Sequence, residues 1–165
     1  MKKFELTSET KINIFGKKLF RIKALISFGN VEAGKTGGWV EKEENVNQSG
    51  NAWVFDNAEV FGNARVSGNA WVSGNAWVFG NARVFGNAWV SGNADYATIH
   101  GFGTQFRTTT FFRCKDKQVK VSCGCFYGTI PEFREQVKNT RKGKIAEEYL
   151  MIADLMEKHF AEEAK

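Results

Sequence analysis

From position 51 to 94 the chain keeps a beat of six: Asn51, Asn57, Asn63, Asn69, Asn75, Asn81, Asn87 and Asn93 each precede an Ala, without one insertion. Two residues after each of the first seven Ala stands a Val: Val54, Val60, Val66, Val72, Val78, Val84 and Val90. A period of six is neither a heptad nor a helical stripe, and simple strand alternation does not call for a Gly-Asn pair in every copy. It matches the hexapeptide repeat of a parallel β-helix. Three short strands then make a coil of eighteen residues, and coils stack at about 4.8 Å. The Val side chains point inward, and Ala58 through Ala94 occupy narrow corners. The Gly-Asn pairs mark turns that need positive φ, and Asp56 replaces one of those Gly. Asn side chains of successive coils fall into register as amide ladders.

The flanks read differently. Short apolar runs between Lys3 and Leu25, around Gly16-Lys17-Lys18, predict a hairpin. It caps the first coil, whose open end would otherwise be a bare edge of strand hydrogen-bonding groups. After Asp95 the repeat decays through DYATIHGFG. TTTFFRCKDKQVKVSCGCF then predicts two strands, with Cys114 paired to Val119 and Cys123 opposite Thr110. TIPEFREQVKNT predicts a helix opened by Thr129, with Glu132 in capping-box position and Pro131 in the first turn. A second helix carries Ile145, Tyr149, Ile152, Ala153, Met156 and Phe160 on one face, expected to pack on the preceding sheet. The expected fold is mainly β: a hairpin cap over 1–29, a hexapeptide-repeat β-helix over 30–103 and an α+β module of two strands and two helices over 104–165.

Composition narrows the class. The 165 residues suffice for one domain, or a repeat with small terminal additions. Seventeen Gly against one Pro, with 14% aromatic residues, belong to an ordered chain and not a flexible one. A net charge of +5 permits an anionic partner and argues only weakly for nucleic acid. The opening MKKFELTSETKINIFGKK lacks the apolar run of a signal peptide, and no stretch is long and apolar enough to span a membrane. Three Cys, an odd number, fit reduced thiols in a cytoplasm.

The residue between Ala and Val varies, and eighteen-residue stacking sorts it by face. Trp53, Trp71 and Trp89 share the first; Glu59, Trp77 and Asp95 the second, beside Phe61 and Phe79; Arg65 and Arg83 the third. Three outward indoles, each of about 200 Å², make a patch that a soluble monomer seldom leaves bare. A self-association interface accounts for both the stacking and the exposure, as does a ligand platform, whereas a purely stabilising ladder accounts for the stacking alone. Arg65 and Arg83 lie about one strand spacing apart with no acidic residue in the same slot. They are candidate holders of an anion, for instance a nucleotide-like ligand whose base stacks on the aromatics.

Other motifs carry less. GNVEAGKT at 29–36 satisfies the phosphate-loop pattern, but Gly37-Gly38-Trp39-Val40 follows where that chemistry requires a helix. His100 is a candidate general base for acyl transfer; its plainer reading is a histidine at the coil end, and His159 sits near a charged helix end. Cys114, Cys123 and Cys125 lack zinc-site spacing and read as structural thiols, so neither metal nor cofactor is expected.

The opening FELT…LFRIKAL, the stretch FGNV…GGWVE leading into the repeats, and TTFFRCKD…VSCGCFYGTIPEF together resemble a family of small proteins common in bacteriophages and prophages. The Ala corners and Val strands also resemble hexapeptide acyltransferases, which implies a left-handed coil. The resemblance to the phage family implies hexapeptide repeats of variable number and carries over no active site; the expected function is that of a non-enzymatic oligomer, a trimer by analogy with other hexapeptide coils, acting in the host cytoplasm. It is expected to bind a host protein or to sequester an anionic small molecule, in counter-defence. The alternative is a hexapeptide-type acyltransferase with His100 as general base.

Overall fold

The computed structural model describes residues 1–161, and the chain forms two compact units, Met1–Asn93 and Ala94–Lys165. In the first, strands β1 (Phe4–Ile12), β2 (Lys18–Ala24) and β3 (Thr36–Val40) precede seven strands of two residues each. These are β4 (Trp53–Val54), β5 (Glu59–Val60), β6 (Arg65–Val66), β7 (Trp71–Val72), β8 (Trp77–Val78), β9 (Arg83–Val84) and β10 (Trp89–Val90). They form three parallel ladders, β3-β5-β8, β4-β7-β10 and β6-β9, which the chain visits in rotation. Main-chain bonds tie each coil to the next: the Trp53 N–H donates to the Ala70 carbonyl at 3.1 Å, Glu59 to Ala76 at 2.9 Å and Arg65 to Ala82 at 3.0 Å.

The repeat composition follows from this geometry. The seven Val are at most 1% exposed, and Ala52 through Ala88 line the corners, all buried. Corner residues Gly50, Gly62, Gly68, Gly74, Gly80 and Gly86 have φ between 63° and 72°, and Asp56 takes the same conformation at 56°. At Gly37-Gly38 close approach dictates the choice instead. A Cβ on Gly38 would lie 2.6 Å from Val54 Cγ1 and 2.7 Å from the Ala58 carbonyl oxygen.

The hairpin β1-β2 pairs antiparallel to β3 and so takes up the bonding groups of that edge. Its tip is held by Asn13, whose Oδ1 accepts from the Phe15 and Lys17 N–H groups, both at 3.0 Å. Lys3, at its base, is buried: Nζ donates to the Ala52 carbonyl at 2.8 Å and the Gly50 carbonyl at 3.3 Å, and lies 4.7 Å from the Phe28 ring centre. Burial lowers its pKa to about 8.

The second unit is a four-stranded antiparallel meander, β11 (Tyr96–Phe102), β12 (Arg107–Arg113), β13 (Val119–Cys123) and β14 (Phe126–Thr129), followed by α1 (Ile130–Thr140) and α2 (Gly143–Phe160). Three expectations change here. The boundary falls at 93/94 and not at 103, because DYATIHGFG forms β11 and pairs with β12 instead of ending the coil. The sheet therefore has four strands where two were expected. The β12-β13 register also shifts by one: Thr110 faces Ser122 and Arg113 faces Val119. Lys117 at φ 70° tightens the turn, so that the Cys114 N–H donates to Gln118 O at 2.8 Å. As expected, Thr129 caps α1 with Glu132 completing the box. Tyr149, Ile152, Ala153, Met156 and Phe160 pack with Phe111, Val121 and Phe133 into one core.

Lys3 supplies a pH test of the cap. Its folded pKa lies below the unfolded value of 10.5, so between about 8 and 10.5 the unfolded chain holds the proton that the folded chain has lost. The contribution of Lys3 to stability therefore rises with pH across that window. Urea unfolding of wild type and Lys3→Met from pH 7.5 to 10.5 is expected to show the difference in stability shifting toward wild type as pH rises; a constant difference refutes it.

Candidate functional site

On the first face the three Trp are in register, Trp53 beside Trp71 and Trp71 beside Trp89, but they are not alike. Trp53 is fully buried, with Phe4 and Phe28 set edge-on against it at ring-centre distances of 5.9 and 5.3 Å. Its Nε1 has no hydrogen-bond partner. Trp71 is half-buried, edge-on to Phe55 and Trp89, and only Trp89 is substantially bare, at 39%. The expected patch of three outward indoles is thus reduced to one, because the N-terminal segment covers the first and Phe55 and Trp89 pack against the second.

The second face carries the deeper relief. Glu59 stands between Trp39 and Trp77 in the ladder; Asp95 does not join it and instead pairs with Arg113 at 3.3 Å in the second unit. Glu59 is only 5% exposed, its carboxylate 2.9 Å from Lys11 Nζ, which also lies over the Trp39 ring. Phe61 and Phe79 stack at 5.1 Å with an interplanar angle of 4°. Phe15, from the hairpin tip, packs against both and edge-on against Trp77. Sequence patterning gave no sign of this overhang. Beneath it is a cleft of about 480 Å³, where residues 11–14 face Glu59, Trp77 and the corner residues Asn57, Asn75 and Asn93.

On the third face Arg65 and Arg83 are adjacent and exposed. Acidic residues are nearer than the slot pattern implied: Glu43 and Glu44, on a short 3-10 helix, line the same shallow depression as Arg65. That weakens Arg65 as an anion holder. Amide laddering is visible at Asn63, whose Nδ2 donates to Asn81 Oδ1 at 3.5 Å.

The remaining candidates separate from these faces. His100 is not at a coil end; it lies on β11, exposed, opposite Thr108, with Nδ1 2.8 Å from Thr108 Oγ1. At 29–36 Lys35 leads into β3 and not into a helix, so the phosphate-loop pattern has no helical N-terminus to act through. Cys114 is buried, and that burial, then the charge of Asp116, raises its thiol to about 11, where it is a poor nucleophile. Among the described residues no group of three His, Cys, Asp or Glu is arranged for a metal.

Against known proteins, residues 58–74 and 76–92 match the YdcK β-solenoid repeat. The repeat stretch is therefore a β-solenoid. No curated protein matches the chain.

Because Trp53 is a packing residue and Trp89 a surface one, truncation separates them. Trp53→Ala is expected to cost about 3–5 kcal/mol in urea unfolding. Trp89→Ala should cost under about 1.5 kcal/mol. Equal losses would show that the cap does not seal Trp53.

Proposed function

We propose that this protein is a non-enzymatic binding protein, in which the solenoid is the scaffold and the cleft under the hairpin is the ligand site. One observation carries the reading: the hairpin overhang turns an otherwise flat solenoid face into a concave site with mixed chemistry. Trp77 offers an apolar ring face, the corner residues Asn57 and Asn75 offer amides at coil spacing, Asn93, whose Oδ1 accepts from the Trp77 main-chain N–H at 2.7 Å, offers its NH2, and the Lys11–Glu59 pair offers both a donor and acceptors. Because Lys11 is already neutralised by Glu59, the cleft suits an uncharged ligand with several hydrogen-bonding groups and one flat apolar side. The resemblance to bacteriophage proteins supports a setting inside a host cell, where a binder acts by sequestration. The small Ala corners support left-handed coiling.

A second reading is self-association, a trimer by analogy with hexapeptide coils. It rests on Trp89 and Phe79, bare at 39% and 41%. Acyl transfer by His100 has less support, because its imidazole is engaged by Thr108 on an exposed strand.

Native mass spectrometry of the protein from phage-infected cells is expected to show a retained small ligand. Asn75→Ala and Trp77→Ala should each lose it, while an Arg65→Ala, Arg83→Ala pair keeps it. Retention by both cleft variants would refute the site. For self-association, sedimentation of wild type at micromolar concentration should show an oligomer that Trp89→Glu weakens; a wild-type monomer ends that reading.

A further inference from the structure

The second unit treats its arginines unequally. Arg113 bonds Asp95 and the Phe160 carbonyl, and Arg134 bonds both Asp154 and Glu157. Arg107 and Arg141, from the start of β12 and the C-terminal cap of α1, have no carboxylate partner among the described residues. Both line a cavity of about 240 Å³ that has no acidic residue in its wall. Among the described residues the Arg141 guanidinium reaches only the Thr140 carbonyl, at 3.5 Å.

Two glycines make room for this arrangement. A Cβ on Gly124 would fall 1.7 Å from Arg107 Nη1, so the guanidinium lies directly on that backbone. A Cβ on Gly103 would fall 2.4 Å from the Tyr149 hydroxyl oxygen, which belongs to the same cavity. Both glycines have positive φ, at 59° and 77°. Burial raises the Tyr149 pKa, while the charges of Arg141 and Arg107 act in the opposite sense. Both cations line the cavity that also holds this buried tyrosine.

The cavity is also polarised by depth. Arg107 and Arg141 are exposed at its rim, while Phe133, Val137 and Tyr149 are buried in its floor, with Phe126 beside them. Like charges sharing a rim repel each other, and a bound oxyanion converts that repulsion into charge-assisted hydrogen bonding. The volume is below the usual range for a whole drug-sized ligand, so it fits one ring or a short carbon segment and its charged group.

We propose that the second unit binds a small organic oxyanion, a carboxylate or a phosphate monoester, with the charged group between Arg107 and Arg141 and the carbon portion on Phe126 and Phe133. This places the anionic ligand expected from the sequence on a different pair of arginines from Arg65 and Arg83. It is independent of the solenoid cleft, and the two sites fail or stand separately.

Isothermal titration of the full chain with phenyl phosphate, benzoate and inorganic phosphate at fixed ionic strength tests it. Saturable binding of phenyl phosphate or benzoate is expected, tighter than that of inorganic phosphate, and the preferred member of the pair identifies the oxyanion class. Arg141→Gln, an exposed change, should weaken binding at least tenfold with the melting temperature of the free protein unmoved. Gly124→Ala should weaken it by displacing Arg107, and Asn75→Ala should leave it intact. Binding that survives an Arg107→Gln, Arg141→Gln double variant overturns the proposal, as does a failure of both organic probes to bind at millimolar concentration. Inorganic phosphate bound as tightly as phenyl phosphate overturns the role of the aromatic floor.

Discussion

Each solenoid coil donates main-chain N–H groups to the carbonyls of the coil after it, and this bond fixes everything else in the first unit. Trp53 donating to Ala70, and Glu59 to Ala76, pins every side chain to one of three faces. Once that register holds, Val must fill the interior, Ala must stand where the corner leaves no width, and the turn must take positive φ. Sequence and geometry thus agree at each position without any single contact being strong. The cost of the arrangement is concentrated at the ends, where the same bonding groups have no next coil.

The N-terminal hairpin answers that cost and does more than close an edge. By pairing with β3 it brings Phe4 onto Trp53, and the connection between β2 and β3 adds Phe28, removing from solvent the indole that would otherwise be the first rung of an exposed ladder. Its tip carries Phe15 onto the Phe61–Phe79 stack and Trp77. Capping and cleft formation are therefore one structural event. Residues that serve the fold at one end of β1 frame the candidate site at the other.

What was legible in the sequence was whatever local geometry repeats. The Val interior, the Gly and Asp56 turns, the Thr129–Glu132 box and the inner face of α2 all follow from spacing and residue type. What was not legible depends on contacts distant along the chain. Nothing near Trp53 says that Phe4 will reach it, and nothing in the Arg65 slot reports Glu43 and Glu44. DYATIHGFG keeps no six-residue beat, yet only its pairing with Thr108 through Phe112 shows which sheet claims it. The shift at Cys114 turns on a single left-handed Lys117, a conformation a lysine seldom signals. Arg107 and Arg141 carry no signal in the sequence because neither belongs to a repeat.

The three-ladder register makes insertion and deletion discrete. Loss of eighteen residues, 63–80 for example, removes one full layer and leaves every later side chain on its original face. Loss of six, 69–74 for example, preserves the Val interior equally well but rotates all downstream rungs by a third of a turn, setting Arg83 against Glu59 and Trp89 against Arg65. The hydrophobic core cannot distinguish these two changes; only the outer surface can. Length variation in such a solenoid is thus counted in sixes by folding and in eighteens by recognition, so the pattern of tolerated deletions would reveal which of its faces are read by something else.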